Sequence, residues 1–238
     1  MNILHTQFNP QKLHLDITDR EYLFPQHLTE RANQIWDELN VKHTIWNGIV
    51  YRLIELSEAS DTLTLTLGLT DYKATQSASR MRNEFANMPF SERPNAMYVS
   101  GPIVTSDNYY VFSKKHANSI QTNSINFIGG SLNKDEHILT TSADLAETFK
   151  KELHEELNIQ SSDVVIEKGL GIVETDSFRI AIVFQVDYLN TREHLSTNCI
   201  LNDEHSELIH VHKDELAAFL KDQDDLLNPL IPTIFSAT

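Results

Sequence analysis

Apolar and polar positions alternate most clearly over residues 178–188, where Phe178, Ile180, Ile182, Phe184, Val186 and Tyr188 share one face of a predicted strand. Leu63, Leu65 and Leu67 alternate with threonines over 62–67, and residues 49–56 read as a companion strand. The period lengthens elsewhere. Leu28, Ala32, Ile35, Trp36 and Leu39 form one stripe of an amphipathic helix over 25–39. Ala146, Phe149, Leu153 and Leu157 do the same over 141–157, a helix opened by Thr141 and Asp144 at capping-box spacing. Residues 97–105 and 109–113 read as a hairpin around Ser106-Asp107-Asn108, with short strands at 127–130 and 208–211 and a helix at 214–220. The C-terminal half thus runs β-β-β-α-β-β-β-α, a mixed α/β layer architecture. A polar stretch at 74–95, with two prolines, marks the expected boundary. It separates an N-terminal α+β extension (1–95) from a second domain (96–238).

Composition narrows the function classes. The 238 residues are 40% hydrophobic and 22% charged, which is ordinary for a globular chain. Lys and Arg number 19 against 34 Asp and Glu, a net charge of −15 that argues against a generic nucleic-acid binder. A small phosphorylated substrate stays open, because a divalent cation can reverse the local field. Cys199 is the only cysteine, so no intrachain disulfide can form and a reducing compartment is expected. Residues 1–23 lack a signal-peptide core, and the apolar run 180–184 is far short of a membrane span. The expectation is a soluble, cytoplasmic protein with neither membrane nor nucleic acid as partner.

The end of the 141–157 helix concentrates the chemistry. Glu152, Glu155 and Glu156 stand at i, i+3 and i+4 beside the apolar stripe. Two unit charges about 4 Å apart repel by roughly 4 kcal/mol at an effective dielectric near 20, so such a trio needs cations, protons or exposure. Hard divalent ions such as Mg²⁺ prefer oxygen ligands and commonly bridge substrate phosphates. A solvated acidic face is the simpler reading of the helix taken alone.

The upstream segment shifts that balance. The run Gly130-x5-Glu136-x14-Lys151-Glu152-Leu153-x-Glu155-Glu156-x-Asn158-Ile159 resembles the Nudix box, G-x5-E-x7-R-E-U-x-E-E-x-G-U, with U an aliphatic residue. Three departures stand out. The spacer is seven residues longer, Lys151 replaces the arginine, and Asn158 replaces the second glycine. Spacing from the helix would put the family's first glutamate at Ala143. Lys151 keeps the charge without the planar fork, and Asn tolerates the left-handed geometry of a helix end. Upstream, Trp46-Asn47-Gly48, Tyr51-Arg52-Leu53 and Leu67-Gly68-Leu69-Thr70-Asp71-Tyr72 look like the leader of the Nudix subgroup that cleaves UDP-glucose and UDP-galactose. Trp46 and Tyr72 also read as plain packing aromatics.

The resemblance implies a Nudix-type α/β/α sandwich with a mixed sheet, and hydrolysis of a nucleoside diphosphate linked to X. UDP-glucose or UDP-galactose would give UMP and sugar 1-phosphate. ADP-ribose, NADH or coenzyme A derivatives are the alternative substrates, and a non-catalytic nucleotide-binding module is the alternative class. Mg²⁺ is the implied cofactor, with Mn²⁺ as its substitute. Glu152, Glu155 and Glu156 would be metal ligands, with Glu155 and Glu156 also counted as catalytic. The general base would come from a later loop, where Glu204 and Glu207 are candidates, His205 a third, and Glu174 or Glu193 replacements. Each also reads as a solvated turn residue. Gly129 and Gly130 would let backbone approach phosphates or the catalytic helix. Lys114, Lys115 and Arg179 are candidate phosphate contacts, with surface lysines the plainer reading. His210 and His212 read as structural or solvent-facing. Family members commonly dimerise through N-terminal elements, so a homodimer is expected.

Overall fold

A computed structural model describes residues 1–42, 46–116 and 123–237. The chain begins with β1 (Asn2–His5), β2 (Leu13–Glu21), α1 (Thr29–Lys42), β3 (Ile49–Ala59) and β4 (Thr62–Asp71), then α2 (Tyr72–Arg80) and α3 (Arg82–Ala86). There follow β5 (Met97–Gly101), β6 (Ile103–Thr105), β7 (Tyr109–Lys115), β8 (Ile125–Asn126) and β9 (Ile128–Ser131). The rest is α4 (Ala143–Leu157), β10 (Val164–Glu174), β11 (Ile180–Tyr188), α5 (Arg192–Asn198), β12 (His205–His212), α6 (Leu216–Asp222) and α7 (Leu230–Ala237). None of the described helices is long and apolar enough to cross a membrane.

The strand with the clearest alternation lies at the centre of a nine-stranded mixed sheet. β11 runs antiparallel to β10 and parallel to both β5 and β6. Its two faces feed two cores. Ile180, Ile182, Phe184 and Val186 pack with Leu145, Phe149, Leu153 and Leu157 of α4. Ala181 and Val183 face the other way, where Phe219 of α6 and Ile231 and Ile234 of α7 cover them. Helices on both faces of a mixed sheet make this the expected mixed α/β fold with an α/β/α arrangement. The double cover explains why the strand is apolar at nearly every position.

A three-stranded sheet in the order β2-β4-β3 carries the N-terminal part. The β3–β4 hairpin turns through Ser60 and Asp61, both with positive φ (48° and 63°), the geometry of a tight hairpin turn. Leu13, Leu53, Leu65 and Leu67 of this sheet share one core cluster with Met97, Val99 and Ile128 of the large sheet. β1 leaves the N-terminal part to pair with β10.

The polar stretch 74–95, read as the domain boundary, is itself largely helical. It holds α2 and α3, with Ala74, Thr75, Gln76, Ser77 and Ala78 all buried. Two of the polar members bond backbone carbonyls: Thr75 Oγ1 donates to Asp71 at the start of α2 at 3.0 Å and Ser77 Oγ to Ala32 of α1 at 3.5 Å. Ala78, Met81 and Phe85 pack with Leu28 and Ala32 beside α1 in a third cluster. Smaller differences have equally local causes. Pro102 cannot donate to a ladder and splits the expected 97–105 strand into β5 and β6. Phe178 lies outside β11 at φ 57° and joins the Phe85 cluster. Trp46, read as a packing aromatic, is 62% exposed.

Candidate active site

α4 contains no Gly or Pro and is held at both ends. At the N-terminus the expected capping box is half realised. The Asp144 carboxylate accepts from the backbone N–H groups of Thr140 and Thr141, both at 2.7 Å, whereas the Asp144 N–H goes to the Thr141 carbonyl. Burial pushes the Asp144 carboxyl up, but these hydrogen bonds hold it below the ordinary carboxylate value. At the C-terminus Asn158 takes φ 58°, ψ 24°, and its N–H bonds the His154 carbonyl at 2.8 Å. Asn158 thus closes the helix in the left-handed conformation that the sequence reading expected.

With α4 so fixed, Glu152 and Glu156 point one turn apart into a polar cleft of about 890 Å³. Glu155 does not. Successive residues step about 100° around a helix, so Glu155 falls outside the rim, half-exposed and 3.6 Å from Lys151. The glycine pair explains how close the sheet comes. A β-carbon at Gly130 would lie 2.0 Å from Glu152 Cδ, so only glycine leaves room for that carboxyl group against β9. Gly129 has φ +155°, and a β-carbon there would meet the Val99 carbonyl oxygen at 2.1 Å.

Glu152 and Glu156 each have a buried histidine behind them. His205 Nε2 is 3.0 Å from Glu156 Oε2, with both residues almost fully buried. His137 Nε2 is 3.6 Å from Glu152 Oε1 and 4.0 Å from Glu136 Oε2. Burial raises the Glu152 carboxyl above its ordinary value, and the imidazole offsets this only in part. Glu204 lies at the cleft edge with its carboxylate 2.9 Å from Lys115 Nζ. Desolvation works against ionisation there, but the hydrogen bond and charge of Lys115 hold Glu204 below the usual range. Donor atoms of Glu156, Glu204 and His205 all come within 4.8 Å of one another. Two carboxylates and an imidazole form a donor set suited to a divalent cation.

The facing side of the cleft is basic and aromatic. Arg179 sits over the Tyr98 ring at 4.4 Å and donates from Nη2 to Ser131 Oγ at 3.0 Å, which fixes its guanidinium. Tyr72, Gln76 and Arg80 of α2 line the same cleft, with Arg82 just beyond the helix end. Gly129, Gly130, Lys115, Arg179, Glu152, Glu156 and Glu204 are therefore gathered in one place. Glu207 is exposed on β12 opposite Lys114, and neither lines the cleft. Glu174 is buried and paired with Arg93 at 2.7 Å, while Glu193 is exposed at the start of α5. Glu136 is exposed as well. His210 meets Ser196 Oγ at 3.3 Å and the His212 ring packs against Tyr109.

No family model and no curated protein matches the chain. Several solved structures do. The MutT protein of Methanosarcina mazei Go1 is 19% identical, over 59% of this chain and 90% of its own, with a TM-score of 0.44. A NUDIX hydrolase from Nitrosomonas europaea is 15% identical over 60% and 86%, with a TM-score of 0.42. A C. elegans Ap4A hydrolase is 13% identical over 60% and 93%, with a TM-score of 0.41. Likenesses this distant carry no assignment of substrate.

Sequence reading did not single out His137, Gln76, Arg80, Tyr98 or Ser131. His137 directly follows Glu136 inside the lengthened spacer, and that position was its available signal. Arg80 and Arg82 follow closely on the Tyr72 leader string but lie in the stretch read as a boundary.

Proposed function

We propose that this protein is a divalent-metal-dependent hydrolase of Nudix type that cleaves a nucleoside diphosphate linked to X, with a UDP-sugar as the favoured substrate. The observation that supports this most is the pair Glu152 and Glu156, facing one cleft beside Gly130 and opposite the fixed guanidinium of Arg179. Glu152, Glu156 and Glu204 would hold the cation. When bound, such an ion neutralises charge on phosphoryl oxygens and lowers the pKa of coordinated water. Arg179 would seat a phosphate, and Lys115 would keep Glu204 ionised and able to accept a proton. His205 holds Glu156 so that the carboxylate keeps a fixed direction. Glu155 and Glu207, outside the cleft, have no direct role in this reading. The N-terminal extension serves as the substrate-side element, because α2 supplies one side of the cleft. Cytoplasmic location and a homodimer complete the proposal.

Incubation with UDP-glucose and Mg²⁺ or Mn²⁺ should release UMP and glucose 1-phosphate. Release of AMP from ADP-ribose or NADH, with no UMP from any UDP-sugar, would move the substrate to the second class. No turnover of any such compound, with nucleotide binding unchanged in Glu156→Gln, would leave a binding module instead.

A further inference from the structure

The longer spacer between Gly130 and α4 does more than bridge a gap. It delivers His137 to Glu152. The imidazole is 5% exposed, and its Nε2 is buried without a hydrogen-bond partner among the described residues. Carboxylate oxygens of Glu152 and Glu136 lie near it but beyond hydrogen-bond distance, and a buried nitrogen without a hydrogen bond calls for an occupant. The surrounding segment is tied down: His137 N–H bonds the Asn133 carbonyl at 2.9 Å, and Leu139 N–H bonds Tyr51 Oη at 3.3 Å. Nε2 stands 3.6 Å from Glu152 Oε1, slightly too far for a good hydrogen bond. It is close to the separation of roughly 3–3.5 Å between two ligands on one ion with metal–ligand bonds near 2.1 Å.

We infer that His137, which backs Glu152 and does not itself line the cleft, is a nitrogen ligand, with Glu152, for a divalent cation. This rests on the proposed function and deepens it. An imidazole donor beside carboxylates favours Mn²⁺, Co²⁺ or Zn²⁺ over Mg²⁺, which prefers an all-oxygen shell. The lengthened spacer is then the source of a donor that the helix glutamates lack.

The test is pulsed electron paramagnetic resonance on the full chain loaded with Mn²⁺, which detects ¹⁴N coupled to the ion. Wild type should show imidazole nitrogen coupling. His137→Gln should lose it while still binding Mn²⁺, with the ratio of Mn²⁺ to Mg²⁺ affinity falling about tenfold, the lower end of what removing one donor or its support produces. His205→Gln should keep the coupling, which supports the assignment even if His137→Gln fails to fold. Coupling that is absent from wild type, that survives His137→Gln, or that vanishes in His205→Gln overturns it. Mg²⁺-dependent turnover without nitrogen coupling sinks this inference alone. Absence of both cation binding and turnover sinks the proposed function with it.

Discussion

The two sides of the cleft are built in opposite ways. On the α4 side the charged groups are acidic and almost enclosed, with the Glu152 and Glu156 side chains 13% and 6% exposed. A histidine backs each of them, and Gly130 leaves room for one. On the α2 side the charged groups are basic and open: Arg80 and Arg82 are exposed, Arg80 bonding Gln76 within α2 and Arg82, at the start of α3, bonding the Ser79 carbonyl of α2. Enclosed, pre-oriented carboxylates suit bond cleavage, where displacement by a fraction of an ångström matters. Exposed guanidiniums on a helix with its own small core suit selection of the substrate.

Substitutions can break this contrast. Glu156→Gln should lower kcat about 10³-fold with little change in KM, measured by steady-state release of product. An effect confined to KM would put Glu156 on the binding side. Phe85→Ala removes a fully buried ring from the cluster under α2 and should cost about 3–5 kcal/mol in denaturant unfolding. Below its midpoint the variant should show a raised KM with kcat nearly kept. Arg179→Met should raise KM roughly 10–100-fold, the equivalent of a charged hydrogen bond of about 1.5–3 kcal/mol. Asp144→Asn should cost about 1 kcal/mol of stability, since the carboxylate satisfies two backbone donors at the start of α4. The folded Asp144 carboxyl lies below its ordinary value, so this contribution is present above about pH 4 and is lost as pH falls through the depressed pKa. Urea unfolding of wild type and variant should therefore converge in acid; a constant difference would show that charge is not involved. The smallest effect belongs to Glu155→Gln, whose ion pair with Lys151 is half-exposed and worth under about 1 kcal/mol. A large loss of turnover there would place Glu155 at the reacting centre.

The α4 side was legible in the sequence and the α2 side was not. Period and motif together located Glu152 and Glu156, because amphipathic spacing requires one face of 141–157 to be buried. The β11 alternation showed the central strand, though not the second core that covers Ala181 and Val183. α2 escaped because its buried positions include Thr75, Gln76 and Ser77, polar residues that bond within the helix or to its neighbours and so imitate a loop. His137 escaped for a different reason. It belongs to no regular element, and its partner Glu152 lies fifteen positions along the chain, where no periodicity links them. The difference between Glu155 and Glu156 depends on where the cleft rim cuts the helix, a boundary drawn by β9 and α2.

The tight fit of Gly130 against the Glu152 carboxyl group has an evolutionary reading. The two positions are coupled, since a side chain at 130 would push the Glu152 carboxyl group from its place against β9. Related chains should therefore keep glycine at 130 wherever they keep glutamate at 152. Where the glycine has been lost, a shorter residue should stand at 152 and turnover should have gone with it, so this pair separates working descendants from those that retain only the fold.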